Sequence, residues 1–168
     1  MKFNVLEKAL ENNNVEKVEQ LLDGMSVDQH QEATKILIKH LTQTEDKDLR
    51  NLLAIALRDI GNEEAISPLI NLLSDSRTLG SRGTLLYALE PFNCTAHLEI
   101  IIHQFLTGNF EVQAGAFQLI ESMNGNVSGD VLLRSLQKVK ERLAEIERQQ
   151  ELHTDVLDFL FDLNATEC

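Results

Sequence analysis

Three stretches of this chain carry one pattern at a shift of 31 to 32 residues. Setting Ala56-Leu57 on Ala88-Leu89 places Leu53 on Leu85, Arg50 on Arg82 and Ile60 on Phe92, a shift of 32. Setting Glu90 on Glu121 places Leu85 on Ala116, Leu86 on Phe117 and Leu89 on Ile120, a shift of 31. A period of that length is one supersecondary unit. A unit that cannot bury its apolar face alone has to stack on its neighbours, so the repeat constrains the whole architecture.

The clearest copy is residues 48–75. Leu49, Leu52, Leu53, Ala56, Leu57 and Ile60 recur at three and four, as do Ile66, Leu69, Ile70 and Leu73, the stripe of a helix with one buried face. Between them Gly61 can take the left-handed conformation that ends a helix, and Asn62 can cap the next one, with Glu63 and Glu64 favoured in its first turn. The second copy runs from Arg82 to Phe92, with partner helix 96–106. Pro91, which has no N–H to donate, shortens its first helix and lengthens the corner. The third begins near Phe110 and turns at Asn124-Gly125.

The ends follow by pattern. Residues 3–10 read as a short helix stopped at Asn12-Asn13-Asn14, and residues 15–22 as a second, capped by Asn13 or Asn14. Ser26 with Gln29 is a capping box opening a third helix to about Leu41. From Ser128 the spacing predicts a helix to about Gln150 with Val131, Leu132, Leu136, Val139, Leu143 and Ile146 turned inward. Thr154 or Asp155 then opens a last, strongly apolar helix expected to close the stack. The expected organisation is one domain: N-terminal helices 1–47, a repeat core 48–136, and capping helices 137–168.

Composition agrees with helices. Eight Gly and two Pro in 168 residues are too few for a many-turned β architecture, and the core must be built from Leu, Ile, Val and Ala because aromatics are sparse. The longest run without Asp, Glu, Lys or Arg, Ile100 to Phe110, is short of the roughly 20 residues a membrane span needs. Glu7 and Glu11 interrupt the apolar segment a signal peptide requires, so a cytoplasmic location is expected. Cys94 and Cys168 are expected to stay as free thiols, as suits a reducing compartment. The net charge of −12 opposes phosphate backbones, which leaves nucleic acid a poor partner; it serves solubility or attracts a basic protein, and the charge alone fits both.

The residues Leu49-Arg50, Ala54, Ala56-Leu57, Ile60-Gly61-Asn62-Glu63-Glu64-Ala65-Ile66 and Leu69-Ile70-Asn71-Leu72-Leu73-Ser74-Asp75 resemble a HEAT repeat of the short bacterial type, similar to those of phycobilisome lyases. The resemblance covers about residues 48–136. The second copy departs from it in lacking the Gly corner, and the third in lacking the Asp after its second helix. It implies an all-α fold, a short right-handed α-α superhelix of helical hairpins, HEAT-like or armadillo-type, with the second helix of each pair on the concave side. Surfaces of that kind bind proteins.

No residue pattern points to catalysis, a cofactor or a metal. His30, His40, His97, His103 and His153 include no i, i+4 pair, and no Cys-x-x-Cys occurs. His97 and His103 share a helix six residues apart, which predicts one exposed and one partly buried ring. Cys94, ahead of a helix start, is the one thiol inside the folded body; the position can lower its pKa, though a small residue filling a corner explains it as well.

Residues 63–130 hold two basic against eight acidic side chains, half of the net charge. With second helices on the concave side, Glu63, Glu64, Asn71, Asp75, Glu99 and Gln104, with corner acids Asp59, Glu90 and Glu121, are expected to form an acidic strip for a basic protein partner. The expected function is a non-enzymatic binding module, monomeric alone or a heterodimer with its partner. A small, acidic HEAT-like protein also resembles the bacterial immunity proteins that neutralise basic nuclease toxins. The alternatives are an accessory lyase or chaperone acting on a chromophore or cofactor, and a scaffold or homodimer.

Overall fold

The computed structural model describes residues 2–165. Among them are nine α-helices and no strand, and no described helix is long and apolar enough to cross a membrane. The chain divides into two units at Val127/Ser128.

In the first unit the elements are α1 (Lys2–Glu11), α2 (Val15–Asp23), α3 (Val27–Gln43), α4 (Lys47–Ile60), α5 (Ile66–Leu72), α6 (Arg82–Leu89), α7 (Leu98–Thr107) and α8 (Phe110–Ser122). Short 3-10 turns at Glu63–Ala65, Ser76–Thr78 and Thr95–His97 precede α5, α6 and α7. The caps follow the chemistry read from the sequence. Ser26 and Gln29 exchange the two hydrogen bonds of a capping box. Gly61 ends α4 at φ 70°, a conformation that only glycine adopts without strain. Asn62 then accepts from the Glu64 N–H and opens the next turn. Pro68 is tolerated because it sits in the first turn of α5, where its missing N–H has no helical partner, whereas Pro91 lies beyond the end of α6 at Leu89.

Packing sorts these helices into two rows. α2, α4, α6 and α8 lie side by side in one, and α1, α3 and α5 in the other; across the rows α1 packs on α2, α3 on α4, α5 on α6 and α7 on α8. The repeat unit read from the sequence, α4 followed by α5, is therefore not the closest-packed pair. After the Gly61 corner come a 3-10 turn and only two helical turns; α5, with Leu69, Ile70 and Leu72 buried, packs on α3 and α6, and α4 takes the longer α3 as its hairpin partner. The buried residues form one core dominated by leucine: Leu37, Leu41, Leu49, Leu53, Leu57, Leu69, Leu73, Leu85 and Leu86 are all inaccessible to solvent.

Hydrogen bonds donated by corner residues mark the same period as the core. Asn62 Nδ2 donates to Gln31 Oε1 across 31 residues, Asn93 Nδ2 to the Asn124 carbonyl across 31, and Arg77 Nη1 to Glu45 across 32. Arg50, 1% exposed, donates through Nη2 to the Thr44 carbonyl at 2.8 Å and through Nη1 to the Arg77 carbonyl at 3.4 Å. Corners one period apart are thus tied by polar side chains, while the leucines between them exclude water.

The second unit is α9, a single helix from Gly129 to Ala165. The expected break near Gln150 is absent, because residues 150–155 hold no Gly or Pro to stop the helix. The expected inward stripe is corrected in part: Val131 and Val139 are half-buried, but Leu132, Leu136, Leu143 and Ile146 are exposed.

Candidate functional site

Two open concavities lie along the row α2–α4–α6–α8. The first, about 230 Å³, is lined by Glu19, Leu22 and Asp23 of α2, His30 of α3, and Leu52, Ile55, Ala56, Asp59 and Ile60 of α4. The second, about 530 Å³, is lined by Ile55 of α4, by Gly83, Thr84 and Tyr87 of α6 with Glu90 just past its end, and by Phe110, Glu111, Ala114, Gly115 and Gln118 of α8. Ile55 belongs to both, so the two are adjacent.

The second concavity exists because its floor has few side chains. A Cβ on Gly115 would lie 3.3 Å from Leu86 Cβ, and one on Gly83 would run into the Glu111 carboxylate, 2.7 Å from its Cδ. Glycine at 115 lets α8 approach α6, glycine at 83 leaves room for the Glu111 side chain, and a trough remains between the two helices. Around it stand apolar groups open to solvent: Ile55 is 38%, Tyr87 44% and Phe110 86% exposed. Phe117, on which the repeat alignment sets the buried Leu86, is also exposed and lies 6.5 Å from the Phe105 ring.

Arg58 joins the two concavities. It donates to Asp59 Oδ1 at 3.0 Å and to Glu90 Oε2 at 3.4 Å, and its guanidinium lies 4.2 Å from the centroid of the Tyr87 ring, a cation–π contact. The linings hold five carboxylates, Glu19, Asp23, Asp59, Glu90 and Glu111, and no Lys or Arg.

The nine residues expected to form one acidic strip are distributed otherwise. Asp59 lines the first concavity and Glu90 the second, both held by Arg58. The other seven line neither. Glu63, Glu64, Asn71 and Glu121 are exposed and Glu99 is half-buried. Asp75 caps the turn before α6 and pairs with Arg77; that guanidinium and then the Arg77 N–H hold its carboxyl down at about 2. Gln104 faces inward with 0% exposure, and neither side-chain Nε2 nor Oε1 has a hydrogen-bond partner, so it offers nothing to a surface. An inward register at Gln104 follows from Ile101, three residues earlier and buried on the same face.

Cys94 also differs from the activated thiol that a helix start can produce. It is 2% exposed, its Sγ lies 3.9 Å from the Leu89 carbonyl, and burial pushes the thiol up to about 11, so it fills the corner as an inert group. Cys168 lies outside the described residues. His97 is half-buried and His103 exposed, as their spacing requires. Among the described residues no three of His, Cys, Asp or Glu come together as metal ligands.

Sequence reasoning passed over Ile55, Tyr87, Phe110, Glu19, Asp23 and Glu111. A signal existed for the aromatic: Phe110 is out of phase with Val112, Ala116 and Leu119, the buried stripe of its own helix, so it has to point elsewhere. No protein-family model, curated protein or solved structure matches this chain.

Proposed function

We propose that residues 2–127 form a short right-handed solenoid of the HEAT type, and that the face made by α2, α4, α6 and α8 binds a basic protein. The solenoid reading is supported by helices of one row packing in sequence order and by side chains bonded one repeat period apart. One observation carries the binding reading: two adjoining concavities combine five carboxylates, of which Arg58 holds Asp59 and Glu90 while Glu19, Asp23 and Glu111 remain for a partner, with exposed Ile55, Tyr87 and Phe110. Protein interfaces are built this way, with rigid aromatic anchors at the centre and charges around them that steer the partner and fix its register.

Of basic partners, a nuclease fits the charge best, since its own substrate-binding surface is cationic; masking that surface would make this chain an inhibitor of the immunity type. The buried, unreactive Cys94 weighs against the accessory lyase reading. The test is affinity capture from the source cells followed by mass spectrometry. The reading expects a basic protein to be captured by the wild type and lost from a variant carrying Glu19→Lys and Glu111→Lys. Capture unaffected by both reversals refutes it.

A further inference from the structure

Every side chain of α9 from Leu143 to Asp162 is exposed. Helices in proteins draw most of their stability from packing an apolar face, and this one leaves Leu143, Ile146, Leu157 and Leu160 at 45 to 54% exposure. Their spacing is regular. Leu143, Ile146, Gln150, His153, Leu157 and Leu160 follow at three, four, three, four and three, and the same phase runs back through Val139, Leu136 and Leu132. A strict seven-residue period differs from the wider stripe of a helix that packs on a globular core; it is the seam of a two-helix left-handed coil.

We infer that α9 pairs with the α9 of a second copy of this chain, parallel and in register. Complementarity along the flanks of the seam selects that occupant and that orientation. In a parallel pair the residues just before Leu143, Gln150 and Leu157 each face the residue five further along the other helix. Arg142 then faces Glu147 of the second copy, Gln149 faces Thr154, and Val156 faces Phe161, so unlike charges, polar groups and apolar groups each meet their own kind, twice by symmetry. Arg142 holds Glu145 of its own helix at 2.6 Å and is thereby oriented along the flank. Gln150 and His153 make two adjacent polar layers at the centre of the seam, a device that fixes register; a slip of one heptad would set Gln150 against Leu143 or Leu157 and His153 against Ile146 or Leu160. The antiparallel arrangement matches the seam layers but sets Glu147 opposite Thr154 and Gln149 opposite Val156, and so loses both ion pairs.

The test uses the full chain. Light scattering over a concentration series is expected to give a two-subunit mass, twice 19.0 kDa. Leu157→Glu is expected to give the single-subunit mass with the helical content of residues 2–127 retained. Arg142→Glu is expected to weaken the dimer about tenfold, and Arg142→Glu with Glu147→Arg to restore it to within about threefold. Gln150→Cys in a Cys168→Ser background is expected to form an intersubunit disulfide on oxidation. A single-subunit mass at every concentration, a dimer indifferent to Leu157→Glu, or a dimer that Gln150→Cys fails to cross-link each overturns the inference.

Discussion

Replacing Arg50 separates what its charge contributes from what its length contributes. The guanidinium is buried at 1% exposure and bonds two carbonyls of different corners, Thr44 at 2.8 Å and Arg77 at 3.4 Å. A well-formed hydrogen bond from a charged donor contributes about 1.5–3 kcal/mol, and one at 3.4 Å adds little. Against this, Nε is buried without a partner, so removing the group recovers about 1 kcal/mol of desolvation. Arg50→Met keeps most of the aliphatic volume and is expected to cost about 1–2 kcal/mol. Arg50→Ala also deletes methylenes at about 0.8 kcal/mol each and leaves a void, for a total of about 3–5 kcal/mol. Urea unfolding followed by far-UV ellipticity reads both. Because the Arg50 charge also helps to keep the Asp75 carboxyl low, its titration midpoint should rise in either variant. Equal costs for Met and Ala would refute the division between bond and volume, and costs below about 0.5 kcal/mol for both would refute the burial itself.

Gly108 and Gly83 should respond oppositely to alanine. At Gly108 a Cβ would lie 2.6 Å from Val112 Cβ and 2.7 Å from the Gln104 carbonyl, neither of which can swing aside, so Gly108→Ala should cost about 1–3 kcal/mol in urea unfolding. At Gly83 the obstruction is the flexible end of Glu111, so Gly83→Ala should stay within about 1 kcal/mol of wild type, helped by its helix propensity. The Cys94 thiol should react with a disulfide reagent only at the rate of unfolding, as stopped denaturant-dependent labelling of a Cys168→Ser variant would read. Asp75 has a carboxyl lowered from 3.8 to about 2 in the fold, so the stability it contributes is complete above about pH 4 and is lost as pH falls toward 2; Asp75→Asn should flatten that part of the stability profile.

What the sequence made legible were the features set by local chemistry. Ser26 and Gln29, Gly61, Asn62 and Pro91 act at the positions their side chains dictate, and the leucine stripes of α4 and α6 are the core. Hydrophobic spacing gives the face that a helix buries but not the neighbour that covers it. For that reason the spacing pairs α4 with α5 where the fold pairs it with α3, and it points Leu143 and Ile146 inward although nothing in their own unit covers them. The site was less legible still. An acidic strip on the second helices presupposes which side is hollow, whereas the larger hollow follows from glycines 83 and 115, whose missing side chains leave space only when α6 and α8 meet.

On the proposed function the partner docks along α2, α4, α6 and α8. Titration calorimetry of the captured partner against two variants tests it most directly. Glu19→Lys with Glu111→Lys should weaken binding at least about tenfold, while Glu63→Lys with Glu64→Lys, on the turn before α5, should leave it within about twofold. The reverse pattern, loss at 63 and 64 with binding intact at 19 and 111, would contradict the account.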